Sequence, residues 1–162
     1  SLPMQSFDSP EAFTSGGLWM GFPGDEIPVE LPQAPHAGSA LHLFGSTGPE
    51  GLDVFFHTAF PVEKLFSGVR FWVRADLART PLTVAIAGPQ PDYFVDRQQG
   101  VDWPSRTFKL PGAWQQIEIQ FADLGIGPDR LSPHSETFGA VHFIVEPDSA
   151  YDFWIDDFLL VP

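Results

Sequence analysis

The chain consists of short segments in which apolar and polar side chains alternate, and this spacing limits the possible folds more than any other feature. Within residues 114–121, Ile117, Ile119 and Phe121 alternate with Gln and Glu. Residues 68–75 repeat the pattern, with Val and Phe alternating with Arg and Trp. A period of two is typical of a β-strand with one buried and one solvated face.

Similar segments recur along the chain, and turn sequences rich in Gly, Pro, Asp and Ser separate them. The 17 prolines and 15 glycines suit an all-β domain with many loops. The best helical pattern, residues 62–67, is short, and the stretches 9–39 and 88–105 are predicted to be irregular. We expect an all-β, two-sheet antiparallel β-sandwich (jelly roll) forming a single domain over residues 1–162. Strands are predicted near 4–8 and at 40–45, 53–60, 68–75, 81–87, 106–110, 114–121, 139–146 and 151–161.

The charge of the chain excludes several classes of partner. Its 21 acidic residues against 8 Lys and Arg give a net charge of −13. Such a surface repels phosphate groups, so neither nucleic acid nor a membrane is an expected partner. No apolar run approaches the length of a membrane-spanning helix, and the opening SLPMQSF has no signal-peptide pattern. The absence of cysteine excludes disulfides and Cys-based zinc sites.

Sequence patterns of catalysis are also missing. The chain has no G-x-S-x-G motif, no Gly-rich phosphate loop, and no H-E-x-x-H among its five histidines. A carboxylate pair for glycoside hydrolysis stays open, because the separation of two acids in space is not visible in a sequence. The chain is therefore predicted not to be an enzyme, with a small lyase or hydrolase as the lesser alternative.

The final segment, residues 150–162 (AYDFWIDDFLLVP), is apolar but contains the adjacent acids Asp156 and Asp157. Strand parity places Asp156 inward, with the larger apolar side chains, and Asp157 outward. A buried carboxylate needs a cation or several hydrogen-bond donors. If the terminal strands pair, Asp8 comes near Asp156, and calcium is the hard cation that such oxygen ligands favour. Alternatively, Asp156 accepts backbone N–H groups at the strand edge.

Six motifs, in order, give the chain a resemblance to a known family. The chain resembles the galactose-binding-like β-jelly rolls, and most closely the carbohydrate-binding modules of family 11 type. The motifs are SFD (6–8), HAGSALHL (36–43), FSGVRFWVRA (66–75), GAWQQIEIQFADL (112–124), FGAVHFIV (138–145) and YDFWIDDFLL (151–160). This resemblance implies a structural calcium ion, with ligands from Ser6 (backbone), Asp8, Ser39 or its neighbours (backbone), and Asp156.

The resemblance also implies that a glycan binds on one sheet face, where aromatic rings stack on sugars and polar groups bond their hydroxyls. Trp19 and Trp103 fit equally well as anchors of loops, Phe55 as a core residue and His57 as a satisfied strand histidine. The candidate carbohydrate contacts are Trp19, Asp53, Phe55, His57, Tyr93, Asp102, Trp103 and Arg106.

The function implied is that of a non-catalytic, secreted module, extracellular or at the cell surface. It would bind a polysaccharide or oligosaccharide and tether a partner, such as an attached catalytic domain, to it. The alternative is an interaction or assembly module of the same fold that binds no sugar. Parity places Trp72, Phe153 and Ile155 on an outward face, which would suit docking to another protein domain. Alternatively, the loop at residues 9–35 covers this patch, which is the interpretation we favour.

Overall fold

The computed structural model describes residues 2–5, 19–21, 29–30, 40–49, 51–57, 66–75, 80–87, 93–126 and 140–162. Within these ranges the chain forms eleven strands, one short α-helix and one 3₁₀ helix. The strands are β1 (Leu2–Gln5), β2 (Trp19–Gly21), β3 (Val29–Glu30), β4 (Ala40–Ser46), β5 (Leu52–His57), β6 (Gly68–Ala75), β7 (Pro81–Ala87), β8 (Ser105–Lys109), β9 (Gln115–Gln120), β10 (Ala140–Val145) and β11 (Ala150–Val161). The helices are α1 (Tyr93–Gln98) and the 3₁₀ helix Phe121–Leu124.

The strands form two antiparallel sheets, which confirms the predicted all-β sandwich. The six-stranded sheet has the order β3-β4-β11-β6-β9, and β1 pairs with β11 beyond the end of β4. The five-stranded sheet has the order β2-β5-β10-β7-β8. Strands β1 and β11 pair, so the condition under which Asp8 was expected near Asp156 is met for the strands themselves.

The core lies between the two sheets and is made of side chains at alternate strand positions. Four phenylalanine rings fill its centre, because each inner face offers bulky apolar groups at every second residue. Phe143 meets Phe56 and Phe71 edge to face, with ring centroids 5.7 and 5.1 Å apart. Phe158 lies 5.0 Å from Phe56. All four side chains are fully buried.

A β-bulge interrupts strand β11 and changes which residues face the core. The register against β6 shifts between Asp156 and Leu159, and Asp157 has a φ angle of 46°. Aspartate tolerates this left-handed conformation better than most residues. An extra residue in one strand reverses the parity beyond it. The core-facing residues on the two sides of the bulge are Phe153, Ile155, Phe158 and Leu160.

The bulge corrects two predictions made from strict parity. Asp156 is buried as predicted, with 2% of its surface exposed. However, it lies opposite Trp72, on the sheet face that points away from the core. The predicted outward patch of Trp72, Phe153 and Ile155 is wrong, since Phe153 and Ile155 are fully buried in the core. Of the three, Trp72 alone lies on the side of the six-stranded sheet that points away from the core, where it is partly exposed.

A stacked row of side chains crosses the outer face of the six-stranded sheet. The Trp154 ring is stacked on His42 at 3.9 Å and 5°. The guanidinium of Arg74 lies 5.4 Å from the Trp154 ring and 5.6 Å from the Trp114 ring. Asp152 holds His42 with a 2.6 Å contact between Oδ1 and Nε2. Cross-strand stacking of this kind explains why Trp154 is buried on a face that points away from the core.

Several elements differ from the prediction. Strands β2 and β3 form within residues 9–39, and helix α1 forms within 88–105, although both stretches were predicted to be irregular. The predicted helical pattern at 62–67 lies mostly outside the described residues, and its last two residues are not helical. None of the helices in the described ranges is long and apolar enough to cross a membrane.

Candidate functional site

The outer face of the five-stranded sheet collects polar and aromatic side chains from its three central strands. In β5, β7 and β10, alternate residues point into the core, so the residues between them share the opposite face. Register confirms this arrangement, because His142 is paired with Phe55 on one side and with Ala85 on the other. We call this surface the outer face. Its members in these strands are Asp53, Phe55, Thr83, Ala85, His142 and Ile144.

A histidine and an aspartate form the polar centre of the outer face. His142 is fully buried, and its Nδ1 lies 2.7 Å from Oδ1 of Asp53, whose side chain is 14% exposed. A buried ring nitrogen requires a partner, and the carboxylate provides it. Asp53 was predicted as a carbohydrate contact. In the structure its first role is to hold His142.

Four rings form a continuous row across the outer face, which we call the aromatic row. Phe55 lies 5.2 Å from His142, His142 lies 4.7 Å from Trp103, and Trp103 lies 5.3 Å from Tyr93. The two middle rings are buried, whereas Phe55 and Tyr93 at the ends are partly exposed. The row therefore offers two apolar ring surfaces to a ligand, on a base that neighbouring rings hold in place.

Trp103 anchors the segment after helix α1 to the sheet. Its ring is 4% exposed and packs on Ala85, Ile144 and His142. Its Nε1 donates a 2.9 Å hydrogen bond to Oδ2 of Asp96 in helix α1. Because the ring is enclosed, Trp103 anchors the loop, which was the second interpretation of its role in the sequence. It does not offer a free ring face for stacking on a sugar.

An ion pair fastens helix α1 to the end of β10. Arg97 donates two hydrogen bonds to the Glu146 carboxylate, at 2.5 and 2.8 Å. These bonds lower the pKa of Glu146 below its ordinary value, against the opposing effect of partial burial. The same guanidinium lies 5.3 Å from the rings of Tyr93 and Phe94. The pair thus positions Tyr93, the exposed end of the aromatic row.

Helix α1 comes closest to the sheet at Gly51, directly before β5. Gly51 has a φ angle of +75°, and a Cβ at this position would clash with the ring of Phe94. Only glycine combines this backbone conformation with such a close approach. Helix α1 therefore covers one end of the outer face, and Phe55 lies further along the same strand.

The structure brings together half of the predicted carbohydrate contacts. Asp53, Phe55, Tyr93 and Trp103 meet around His142. Asp102 is exposed in the segment that precedes Trp103. Of the remaining three, Trp19 and His57 are placed by backbone pairing alone. Arg106 is exposed in β8 opposite the core residue Val84, and Trp19 lies opposite His57 in the pairing of β2 with β5.

Three residues of this site were not predicted as contacts: His142, Arg97 and Glu146. The alternation of β10 contains a signal for two of them, since His142 and Glu146 continue the parity of Ile144 on the outer face. No local signal identifies Arg97, because its partner Glu146 lies 49 residues away.

The buried Asp156 lies where two strands meet the same edge of β11. Strand β4 begins at Ala40 and pairs with β11 up to Ile155, whereas β1 ends at Gln5, opposite Phe158. Asp156 Oδ1 accepts a 2.9 Å hydrogen bond from the backbone N–H of Asp157. A buried carboxylate has the oxygen donors that a hard cation such as calcium favours. The other predicted ligands, Ser6, Asp8 and Ser39, lie outside the described residues, and the described part contains no cluster of three His, Asp or Glu.

Comparison with known proteins shows the fold. No protein-family model and no curated protein matches the sequence. Among solved structures, a family 30 carbohydrate-binding module has a TM-score of 0.64 and 13% identity, over 98% of each chain. The family 11 module from Clostridium thermocellum, in complex with a β-1,3-1,4-mixed-linked tetrasaccharide, has a TM-score of 0.60 and 12% identity, over 99% of this chain and 96% of that one. TmCBM61, in complex with β-1,4-galactotriose, has a TM-score of 0.53 and 15% identity, over 99% and 98%.

The chain thus has the β-sandwich jelly-roll fold of carbohydrate-binding modules of families 11 and 30, as its sequence motifs indicated. Identities this low show the fold, and function has to be argued from the site.

Proposed function

We propose that this chain is a carbohydrate-binding module and that its ligand lies along the outer face of the five-stranded sheet. The observation that supports this most is the aromatic row, with Phe55 and Tyr93 partly exposed at its ends. Apolar ring surfaces beside a few polar groups suit the two sides of a sugar, its C–H face and its hydroxyls. Asp53, held by His142, is a polar group on the same face.

The ligand is a neutral polysaccharide or oligosaccharide. With a net charge of −13, the chain repels anionic polymers such as polyuronates. Neutral saccharides, the β-1,3-1,4-mixed-linked tetrasaccharide and β-1,4-galactotriose, are bound in two of the matched structures. Trp19, His57, Asp102 and Arg106 remain predicted contacts. We also propose an extracellular location and a covalently attached catalytic domain as the partner that the module brings to its polysaccharide.

We propose a structural calcium ion at the junction of β1, β4 and β11. Asp156 would supply a buried carboxylate, with Asp8 and the backbone carbonyls of Ser6 and Ser39 as further ligands. The burial of Asp156 supports this, because a buried carboxylate is stable only when donors or a cation compensate its charge. Calcium would neutralise that charge and join the first and last strands. It has no part in binding the sugar.

The proposed function is tested by titrating the protein with the mixed-linked tetrasaccharide and with β-1,4-galactotriose in a calorimeter. Phe55→Ala and Tyr93→Ala should each weaken binding about fivefold, since each removes a ring worth roughly 1 kcal/mol. Phe44→Ala is the matched control. Phe44 is an exposed phenylalanine, 51% accessible, on the other sheet, and its loss should leave affinity unchanged.

The same titration distinguishes the alternative, an interaction module that binds no sugar. The exposed Phe44, 4.7 Å from His42 on the six-stranded sheet, is the observation that favours it. If neither saccharide binds, or if Phe55→Ala and Tyr93→Ala bind as well as the wild type while retaining its unfolding temperature, the outer face is not a sugar site.

A further inference from the structure

A second concave site lies at one end of the sandwich, outside the aromatic row. Residues 46–49, Gly51, Leu52 and Tyr151 line a cleft of about 360 Å³. This volume lies within the range of small-molecule sites. The cleft is formed by the turn between β4 and β5 and by the beginning of β11.

Hydrogen bonds between two turns hold the walls of the cleft. The backbone N–H of Thr47 donates to the Ser149 carbonyl at 2.8 Å, and the Thr47 hydroxyl donates to the Glu146 carbonyl at 2.7 Å. The Gly48 carbonyl accepts from the N–H groups of Asp148 and Gly51, at 3.1 and 3.3 Å. A site built in this way is formed before its ligand arrives, so little entropy is lost on binding.

The described residues that line the cleft are uncharged and give it two kinds of surface. The tyrosine ring, Pro49 and Leu52 are apolar, whereas the hydroxyls of Ser46 and Tyr151 take no part in the hydrogen bonds between the turns. Among the described residues that line the cleft, none has a carboxylate, an amine, a guanidinium or an imidazole. Burial raises the pKa of Tyr151, so its hydroxyl stays protonated at neutral pH.

We propose that this cleft binds one neutral sugar unit, with the ring of Tyr151 against the C–H face of the sugar and the hydroxyls of Tyr151 and Ser46 bonded to its hydroxyl groups. The site is additional to the outer face and goes beyond the proposed function. It would accept the end of a glycan chain or a free monosaccharide, since its size suits a single ring.

The chain contains only two tyrosines, one in each site, and this makes a direct test possible. ¹⁵N-labelled protein is titrated with methyl β-glucoside, methyl β-galactoside and the mixed-linked tetrasaccharide while amide chemical shifts are recorded. We expect the amides of Thr47, Gly48 and Gly51 to move with one of these probes. Tyr151→Ala should abolish that response, and Tyr151→Phe should weaken it about threefold to tenfold, the effect of one lost hydrogen bond.

Tyr93→Ala is the matched control, and it should leave the response of the cleft unchanged. Absence of shifts at Thr47, Gly48 and Gly51 up to about 50 mM of each probe, a limit well above a millimolar dissociation constant, overturns the proposal. So does a response of the same size in a folded Tyr151→Phe or Tyr151→Ala protein. Shifts confined to the amides of Phe55 and Tyr93 refute sugar binding in the cleft but support sugar binding on the outer face. Shifts confined to the cleft support sugar binding there and count against the outer face.

Discussion

Two adjacent aspartates determine how the last strand is built. Asp157, with its positive φ angle, forms the bulge, and Asp156 is turned to the outer side of the sheet and buried there. Asp156 Oδ1 accepts a 2.9 Å hydrogen bond from the backbone N–H of Asp157. The two residues therefore have different roles, one in backbone geometry and one in charge, and variants can separate them.

Asp156→Asn should remove the calcium dependence of stability. Calcium bound only to the folded state stabilises it by about 2.7 kcal/mol at a hundred times the dissociation constant. The wild type should therefore unfold at a higher temperature with calcium than with EDTA, and Asp156→Asn should unfold at the same temperature in both. Differential scanning calorimetry measures the two midpoints. Asparagine keeps the size of the side chain, so the loss reports on the charge.

Asp157→Asn is the control for this experiment. Asparagine also tolerates a positive φ angle, so the bulge should persist and the calcium effect with it. If the wild type shows no calcium effect, Asp156 is compensated by protein donors alone. A calcium effect that survives Asp156→Asn would place the ion elsewhere in the chain.

Helix α1 shows how an element can depend on distant partners. Its six residues form less than two turns, too few for an isolated helix to be stable in water. Its supports are the Arg97 pair with Glu146, the Trp103 bond to Asp96, and the packing of Phe94 on Gly51. All of these are contacts between side chains or with the sheet, so the helix is stable only when it is packed on the folded sheet.

The ion pair between Arg97 and Glu146 should stabilise the fold at neutral pH and lose this effect in acid. The pKa of Glu146 is lowered in the folded state, so its contribution is complete above the ordinary value and is lost as the pH falls through the folded value. Both side chains are more than a third exposed, so the coupling should be only about 0.5 kcal/mol. A double-mutant cycle with Arg97→Gln and Glu146→Gln measures it from urea unfolding.

The cycle should be run at about pH 7 and again towards pH 3, where the coupling should shrink. Added salt should also weaken it, because the pair is accessible to solvent. The matched control is the pair of Arg70 with Glu118 on the other sheet, at 2.8 Å and similar exposure, which has no contact with helix α1. Tyr93 fluorescence or amide exchange in α1 should change when Arg97 or Glu146 is substituted, and should not change when Arg70 or Glu118 is substituted. A coupling that stays constant with pH would show that the pair has no role in holding the helix.

Elements that arise from local sequence patterns could be predicted, whereas elements that depend on distant contacts could not. Strands such as β6 and β9 could be predicted because their alternation is a local pattern that a half-buried sheet requires. The two-residue strand β3 is too short for any periodicity, and helix α1 depends on contacts far along the chain. For the site, parity within β5 correctly placed Asp53 and Phe55 on one face. Parity failed in β11, since a bulge leaves no periodic signal.

The whole molecule has a charge imbalance that no single contact explains. Its net charge is −13 over 162 residues. Such an excess of one sign destabilises the compact state by repulsion between carboxylates, although it keeps the protein soluble. The excess also favours cation binding at the buried Asp156 and disfavours anionic polymers at the outer face. The proposed calcium and the proposed neutral ligand are thus both consistent with the overall charge.

Sodium chloride should therefore raise the unfolding temperature. Raising its concentration from about 10 mM to about 1 M shortens the Debye length from roughly 30 Å to 3 Å, which screens repulsion between surface carboxylates. For a chain of this size, each kcal/mol gained corresponds to about 2–4 °C. EDTA must be present throughout, so that calcium cannot contribute. Chloride is used because sulfate would strengthen apolar burial independently of charge.

A variant with Asp102→Asn and Asp123→Asn separates net charge from other effects of salt. Both residues are exposed, and neutralising two acids changes the net charge from −13 to −11. The variant should unfold at a higher temperature than the wild type in low salt, and the two should converge in high salt. If instead salt lowers both midpoints, attraction within pairs such as Arg97 and Glu146 outweighs the repulsion, and the charge excess has no cost for folding.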